Sequence, residues 1–309
     1  MSESTAQPPV KFPISSGTLW SKTTQQTEFA RQCGALKSIE TEYHLIQQQD
    51  ISFVVRTLSN LARKEKARSQ QQQQEQKTGK RIDPFLPYEE DLFVGDLSSS
   101  HVCLLNKFNV VDNHLLIVTR GFEAQTNRLN LEDFIALWQC LQEIDGLAFF
   151  NGGKTAGASQ SHKHLQLIPL PFLADVIDRP LESAIANIAF KNSLGKLASF
   201  PFRHGVAKLG LAANSSTQVA AETMLQRYHA LLDFVGFEVD FQTEQQPGAY
   251  NFLATRDWMV IVPRSRESFQ NIPINSLGFA GSLFVRDRSS LELLKELTPL
   301  KLLSQVACS

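Results

Sequence analysis

Short apolar runs separated by turn residues dominate the middle of the chain. "DLFVGDL" (91–97), "HVCLLNKF" (101–108) and "NHLLIVTR" (113–120) have strand length and strand composition, and predict an antiparallel meander. At 130–144 the period changes to that of a helix. Leu131, Phe134, Ile135, Trp138, Leu141 and Gln142 recur at helical spacing, Asn130 is placed as an N-cap, and Asp133 falls in the first turn. "GLAFFNGG" and "HKHLQLIPL" then read as two strands around a glycine-rich turn. A second series follows. It has a helix over 216–236, two strands within 250–264 that turn at Thr255-Arg256-Asp257, a strand in "GFAGSLFVRD" (278–287) and a helix from about Ser290. This order predicts an α+β fold with helices packed on an antiparallel sheet, not the βαβα alternation of a parallel one. The like endings of "NHLLIVTR" and "WMVIVPR" suggest two related halves.

One strand carries chemistry. Side chains alternate across a strand, so in "HKHLQLI" His162, His164, Gln166 and Ile168 share one face while Lys163, Leu165 and Leu167 share the other. Burying the leucines turns the imidazoles toward a cleft. Just before them, "NGGKTAGASQS" (151–161) brings Gly152, Gly153 and Gly157 together with Ser159 and Ser161, a composition that lets backbone N–H groups and hydroxyls approach an anion such as phosphate. An imidazole beside phosphate can serve as base, metal ligand or nucleophile. Zinc needs a third protein ligand that the sequence does not mark nearby. A nucleophilic histidine supported by its neighbour accounts for both positions. Gln166 can hold a phosphoryl oxygen without accepting a proton from water, which suits transfer better than hydrolysis.

Composition narrows the partners. The chain has 309 residues and is 42% apolar, enough for a substantial core, and its 30 Lys+Arg against 31 Asp+Glu produce no global field for nucleic acid or an acidic membrane. Cys33, Cys103, Cys140 and Cys308 are widely spaced, the start lacks the features of a signal peptide, and no apolar run approaches bilayer length. A reduced, cytoplasmic protein is expected. No Rossmann or P-loop glycine pattern occurs. The glutamine-rich stretch 67–84 reads as a mobile loop without assigned function. The expected organisation is an N-terminal segment (1–66) packed on the core, that loop, a catalytic core over 85–178, and a helix-and-hairpin region over 179–309 completing the site. His101, His114, His204 and His229 stand outside the motif and are expected to be structural, as Cys103 and Cys140 are expected to be core residues.

"GASQSHKHLQ" resembles the His-x-His-x-Gln signature of the transferase branch of the histidine triad superfamily. Together with "SGTLW", "PFLPYEEDLFVG", "NKFNVVDNHLLIVTR", "YNFLATRDWMVIVPRS" and "LGFAGSLFVRD", the chain resembles the diadenosine tetraphosphate phosphorylases, or ATP adenylyltransferases, over nearly its whole length. Lys163 stands where the related uridylyltransferases usually have proline, which favours the adenylyl enzymes. The resemblance implies a histidine-triad-like sheet and phosphorolysis of diadenosine tetraphosphate (Ap4A) to ATP and ADP through an adenylyl group on His164. His162 would support His164, and Gln166 would contact the α-phosphate. It also implies nucleotide or phosphate contacts at Lys64, Asn106, Lys107, Asn151, Gly157, Ala158, Ser159, Gln160, Asn275, Ser276 and Arg286. No tightly bound cofactor or dedicated metal site is expected, with magnesium entering on the polyphosphate. Two other readings remain: a dinucleotide hydrolase, whose triad would carry a third histidine at position 166, and a nucleotide-binding sensor without turnover.

Overall fold

The computed structural model describes residues 13–58, 83–173, 176–179, 181–212 and 215–309. Lys64 and most of the glutamine-rich stretch lie outside the described residues. The chain runs through α1 (Leu19–Gln32), β1 (Thr41–Gln48), β2 (Ile51–Leu58), β3 (Phe93–Asp96), β4 (His101–Leu105), β5 (Leu115–Thr119), α2 (Leu131–Glu143), β6 (Gly146–Asn151) and β7 (His164–Pro169). It continues through α3 (Glu182–Ala186), β8 (Leu194–Gly195), β9 (Gly205–Lys208), α4 (Thr217–Phe234), β10 (Tyr250–Ala254) and β11 (Trp258–Pro263). The remaining elements are β12 (Ser268–Phe269), β13 (Ile272–Pro273), α5 (Ser276–Phe279), β14 (Ser282–Val285), α6 (Arg288–Leu297) and α7 (Pro299–Val306). Among the described residues, no helix is long and apolar enough to cross a membrane.

Among the described residues, nine strands form one sheet in the order β3-β4-β5-β7-β6-β10-β11-β9-β8, with antiparallel pairing throughout. The α+β expectation holds. Read from the β6·β10 contact outward, both halves give the same connectivity, a hairpin, a helix and a second hairpin. β7 corresponds to β11, and β5 to β9. The like endings noted in the sequence belong to β5 and β11, which are not equivalent in this order, so that likeness is coincidental. A separate sheet, β1-β2-β14, packs beside the main one.

The α2 expectation is met at its start by a capping box: the Asp133 N–H donates to Asn130 Oδ1 and the Asn130 N–H to Asp133 Oδ2. Gln142, expected on the apolar stripe, is exposed and bonds Ser215 and Thr217 instead. "GFAGSLFVRD" divides between the end of α5 and the short β14, and the C-terminal helix is broken at Thr298, whose φ is +70°, before Pro299 starts α7.

The two faces of the sheet are covered differently. Leu165, Leu167, Ile117 and Phe150 point to a core shared with Phe134 and Leu137 of α2 and Met224 and Leu231 of α4. On the opposite face, Ile168, Phe149, Val260 and Val262 pack with Leu277, Leu283, Leu294 and Leu303, while Phe85, Val102, Leu104, Leu116 and Val118 form a smaller cluster. Each fully buried aliphatic or aromatic side chain contributes roughly 1.5–3 kcal/mol by leaving water. The motif histidines occupy the seam between the two clusters on this second face.

Lys163 sits on the helix-covered face and is fully buried. Its Nζ lies 2.6 Å from Asp133 Oδ2 and 3.1 Å from Glu123 Oε2, and Asp133 Oδ1 lies 3.1 Å from His101 Nε2. Burial alone would raise the Asp133 carboxyl, but the hydrogen bond from His101 and the charge of Lys163 hold it below the usual carboxylate range. Asp133→Ala removes one partner of a buried pair and uncaps α2; a loss of about 3–5 kcal/mol in urea denaturation is expected. The double variant Lys163→Met/Asp133→Leu should recover most of that loss, and strictly additive losses would show that the two side chains do not act as a pair.

Candidate active site

β7 lies between β5 and β6, with Val118 opposite His164 and Leu116 and Phe149 flanking Gln166. The expected alternation therefore places His162, His164 and Gln166 on one face. The imidazoles are more covered than a strand facing an open cleft would be: His162 is 1% and His164 5% exposed. The Phe85 ring lies over both, with centroids at 5.6 and 5.3 Å, and Phe122 approaches His162 from another side at 5.5 Å.

His164 is held at its backbone and at one ring nitrogen. Its N–H donates to Gln125 Oε1 at 2.8 Å, and Gln125 Nε2 donates back to the carbonyls of Asn151 and His164. The Nδ1–H of the ring donates to the His162 carbonyl at 2.8 Å. This fixes the tautomer with the lone pair on Nε2, which has no protein partner among the described residues. Burial lowers the proton affinity of the ring to a pKa of about 4; the bond to the His162 carbonyl opposes this, the neighbouring His162 adds to it, and the charge of Asp83 opposes it. At neutral pH His164 therefore offers an unprotonated, oriented nitrogen. The ring of His162 is held on one side by Asp83 and on the other by Thr119.

Gln166 is oriented by a chain of hydrogen bonds that sequence reasoning missed. Asn106 Nδ2 donates to His114 Nδ1 at 3.2 Å, which leaves the proton of that ring on Nε2, where it donates to Gln166 Oε1 at 3.0 Å. With its oxygen engaged, Gln166 presents its NH2 group. His114 thus belongs to the site and not to the structural background. Its place just ahead of β5, far from the motif in sequence, concealed it. Asn106, expected at nucleotide, is the far end of this chain.

The glycine-rich loop is shaped by close approach to the C-terminal half. Gly157 has φ +90°, and a Cβ there would lie 2.6 Å from the Ile274 carbonyl and 3.0 Å from Asn275 Cα, so only glycine fits. Beyond it, the N–H groups of Ser159, Gln160 and Ser161 donate to no protein acceptor among the described residues. Such a run of free amides suits an anion. Asn151 and Ser276, both expected at nucleotide, are buried against each other: Asn151 Oδ1 accepts from the Ser276 N–H and hydroxyl, both at 2.8 Å, and from Asn251 Nδ2 at 2.9 Å. They brace the loop. Arg264 stands behind it, 4% exposed, with Nη1 bonded to Asn251 Oδ1 at 2.5 Å and to the carbonyls of Ile274 and Ala156 at 3.0 and 3.3 Å. Burial lowers its pKa to about 10, so it stays charged at neutral pH.

The remaining expected residues take different places. Asn275 caps α5 by accepting from the Leu277 N–H, and Lys107 pairs with Glu89 at 2.5 Å. Arg286 is exposed just beyond β14, whose neighbour is β2, in the smaller sheet. The structure thus joins His162, His164, Gln166 and the 157–160 loop, with Asn275 against it. Asn106 is reached through His114. Among the described residues, no group of three or more His, Cys, Asp or Glu side chains converges as metal ligands.

Comparison with known proteins agrees with this geometry. The family model for the Ap4A phosphorylase N-terminal domain matches residues 10–187, and that for the ATP adenylyltransferase C-terminal domain matches residues 198–309. Diadenosine 5',5'''-P1,P4-tetraphosphate phosphorylase 2 of Saccharomyces cerevisiae is 31% identical over 242 residues, covering 69% of this chain and 72% of its own. The crystal structure of yeast Ap4A phosphorylase Apa2 in complex with Ap4A superimposes with a TM-score of 0.74 at 24% identity, covering 97% of this chain and 98% of that one. Its complex with AMP gives 0.73 at 26% identity, covering 96% and 97%. With both family models matched in order along nearly all of the sequence, the chain belongs to the Ap4A phosphorylases, a family of ATP adenylyltransferases.

Proposed function

We infer that this chain phosphorolyses Ap4A to ATP and ADP through a covalent adenylyl-histidine at His164. The observation that carries this reading is the buried, neutral His164 ring whose only unpartnered nitrogen, Nε2, shares a strand face with the amide of Gln166. In the first step Nε2 bonds to the α-phosphorus and the bond from phosphorus to the bridging oxygen breaks, releasing ATP. In the second an oxygen of inorganic phosphate displaces the histidine, giving ADP. Splitting the transfer in this way replaces one difficult displacement by two easier ones.

The Gln166 NH2 and the free amides of 159–161 are placed to donate to phosphoryl oxygens as charge redistributes, with the buried charge of Arg264 behind the loop. Gln166 offers water no base. That supports transfer to phosphate over the hydrolase alternative. Magnesium, on this reading, enters bound to the polyphosphate and needs no ligand set of the protein. The nearly balanced charge supports small nucleotides as partners, not nucleic acid or membrane, and four free cysteines support a reduced cytoplasmic setting.

Incubation with Ap4A should yield ATP and ADP only when phosphate is added. AMP and ATP formed without phosphate would make the protein a hydrolase. His164→Ala should lower turnover on the order of 10³-fold or more while leaving nucleotide binding intact, and no labelled adenylyl-protein should accumulate from it. In the wild-type chain, the loss of adenylation on acidification should fall near pH 4, because protonation there removes the lone pair; a midpoint near 6.5 would contradict the assigned state of the ring. His114→Phe, which releases Gln166, should lower kcat about tenfold with KM within about threefold, and His114→Gln should retain more activity because it keeps a donor. Equal losses in the two variants would separate His114 from the orientation of Gln166.

A further inference from the structure

The His162 ring is held at both nitrogens by oxygen atoms. Nδ1 lies 2.8 Å from Asp83 Oδ2, and Nε2 lies 2.9 Å from both the carbonyl oxygen and Oγ1 of Thr119. The Thr119 hydroxyl also lies 2.9 Å from the Gly121 carbonyl oxygen. On the Nδ1 side the partner is a carboxylate, which fixes the plane of the ring.

Asp83 is itself held in place. Its Oδ1 accepts from the Phe85 N–H at 2.9 Å, a local turn that brings the Phe85 ring over both imidazoles. The main-chain carbonyl of His162 in turn receives the Nδ1–H of His164. A continuous series of contacts therefore runs from the Asp83 carboxylate through His162 to the reactive ring. The charge of Asp83 also reaches His164 directly, where it counters the effects of burial and of His162 on proton affinity.

We propose that Asp83 is a positioning residue for adenylyl transfer, its carboxylate holding the His162 ring in place beside His164. The assignment rests on the phosphorolysis reading given above. It makes a residue at the edge of the glutamine-rich stretch, 79 positions from its partner in sequence, part of the catalytic apparatus. If Asp83 only braced the turn at 83–86, its removal would cost folded protein and leave the folded fraction fully active. A positioning role instead predicts slower chemistry in a fully folded enzyme.

The test uses the full chain with Asp83→Ala and Asp83→Asn. Readouts are the single-turnover rate of adenylation from Ap4A without phosphate, steady-state kcat and KM, and the urea midpoint. Asp83→Ala should slow adenylation on the order of 10- to 100-fold, the scale seen when a carboxylate that orients a functional histidine is removed, with KM within about threefold. Asp83→Asn keeps an acceptor for the Nδ1–H without the charge, and should fall between Asp83→Ala and wild type. The assignment is overturned if Asp83→Ala adenylates at the wild-type rate, if its lost activity matches its lost folded fraction, or if Asp83→Asn equals wild type. A wild-type chain that turns over Ap4A without forming adenylyl-protein would instead overturn the covalent reading itself.

Discussion

A buried charge fixes the register on which this site depends. Lys163 lies between the two motif histidines, and its amine is neutralised in the core by Asp133 and Glu123. A shift of β7 by one residue would carry that ammonium to the opposite face, away from both carboxylates, and would turn the imidazoles into the helix-packed core. Desolvating either ion costs several kcal/mol, and only the native register returns that cost through pairing. Two leucines alone would favour the same alternation. The ion pair makes the alternative far more costly and ties the strand to the N-terminus of α2, whose cap uses the same aspartate.

From that register the rest of the site follows by short steps. His162 and His164 face the seam between two apolar clusters, where burial strips His164 of its proton and a backbone carbonyl selects its tautomer. Gln166, two residues on, falls within reach of His114 on the neighbouring strand. The C-terminal half places none of the motif histidines. It contributes shape: the Ile274–Asn275 backbone against Gly157, and Asn251, Ser276 and Arg264 behind the loop.

The parts legible in the sequence were those governed by local periodicity. Alternation placed the three motif side chains on one face, helical spacing with the Asn130 cap gave α2, and the glycines of 152–157 marked a loop of close backbone approach. What escaped depends on contacts between distant segments. Asp83 meets His162 from a segment whose composition suggested only a loop, and His114 and Gln125 gain their roles from strand pairing that a lone polar residue does not announce. Asn151 and Ser276, expected at nucleotide, are turned toward each other by the fold. The one helix and two strands of 19–58 gave no comparable pattern, since β1 is an exposed edge strand with Tyr43 and Leu45 facing solvent.

Arg264 gathers carbonyls from Ala156, Ile274, Arg266, Glu267 and Val306, and so ties the floor of the glycine-rich loop to the last turn of α7. Synthesis runs from the N-terminus, and the histidine strand leaves the ribosome well before its support. Until the chain has emerged at least as far as Val306, the guanidinium lacks one of its anchors. The last turn of α7 is thus the final piece of the loop's support to be synthesised, long after the histidine strand itself.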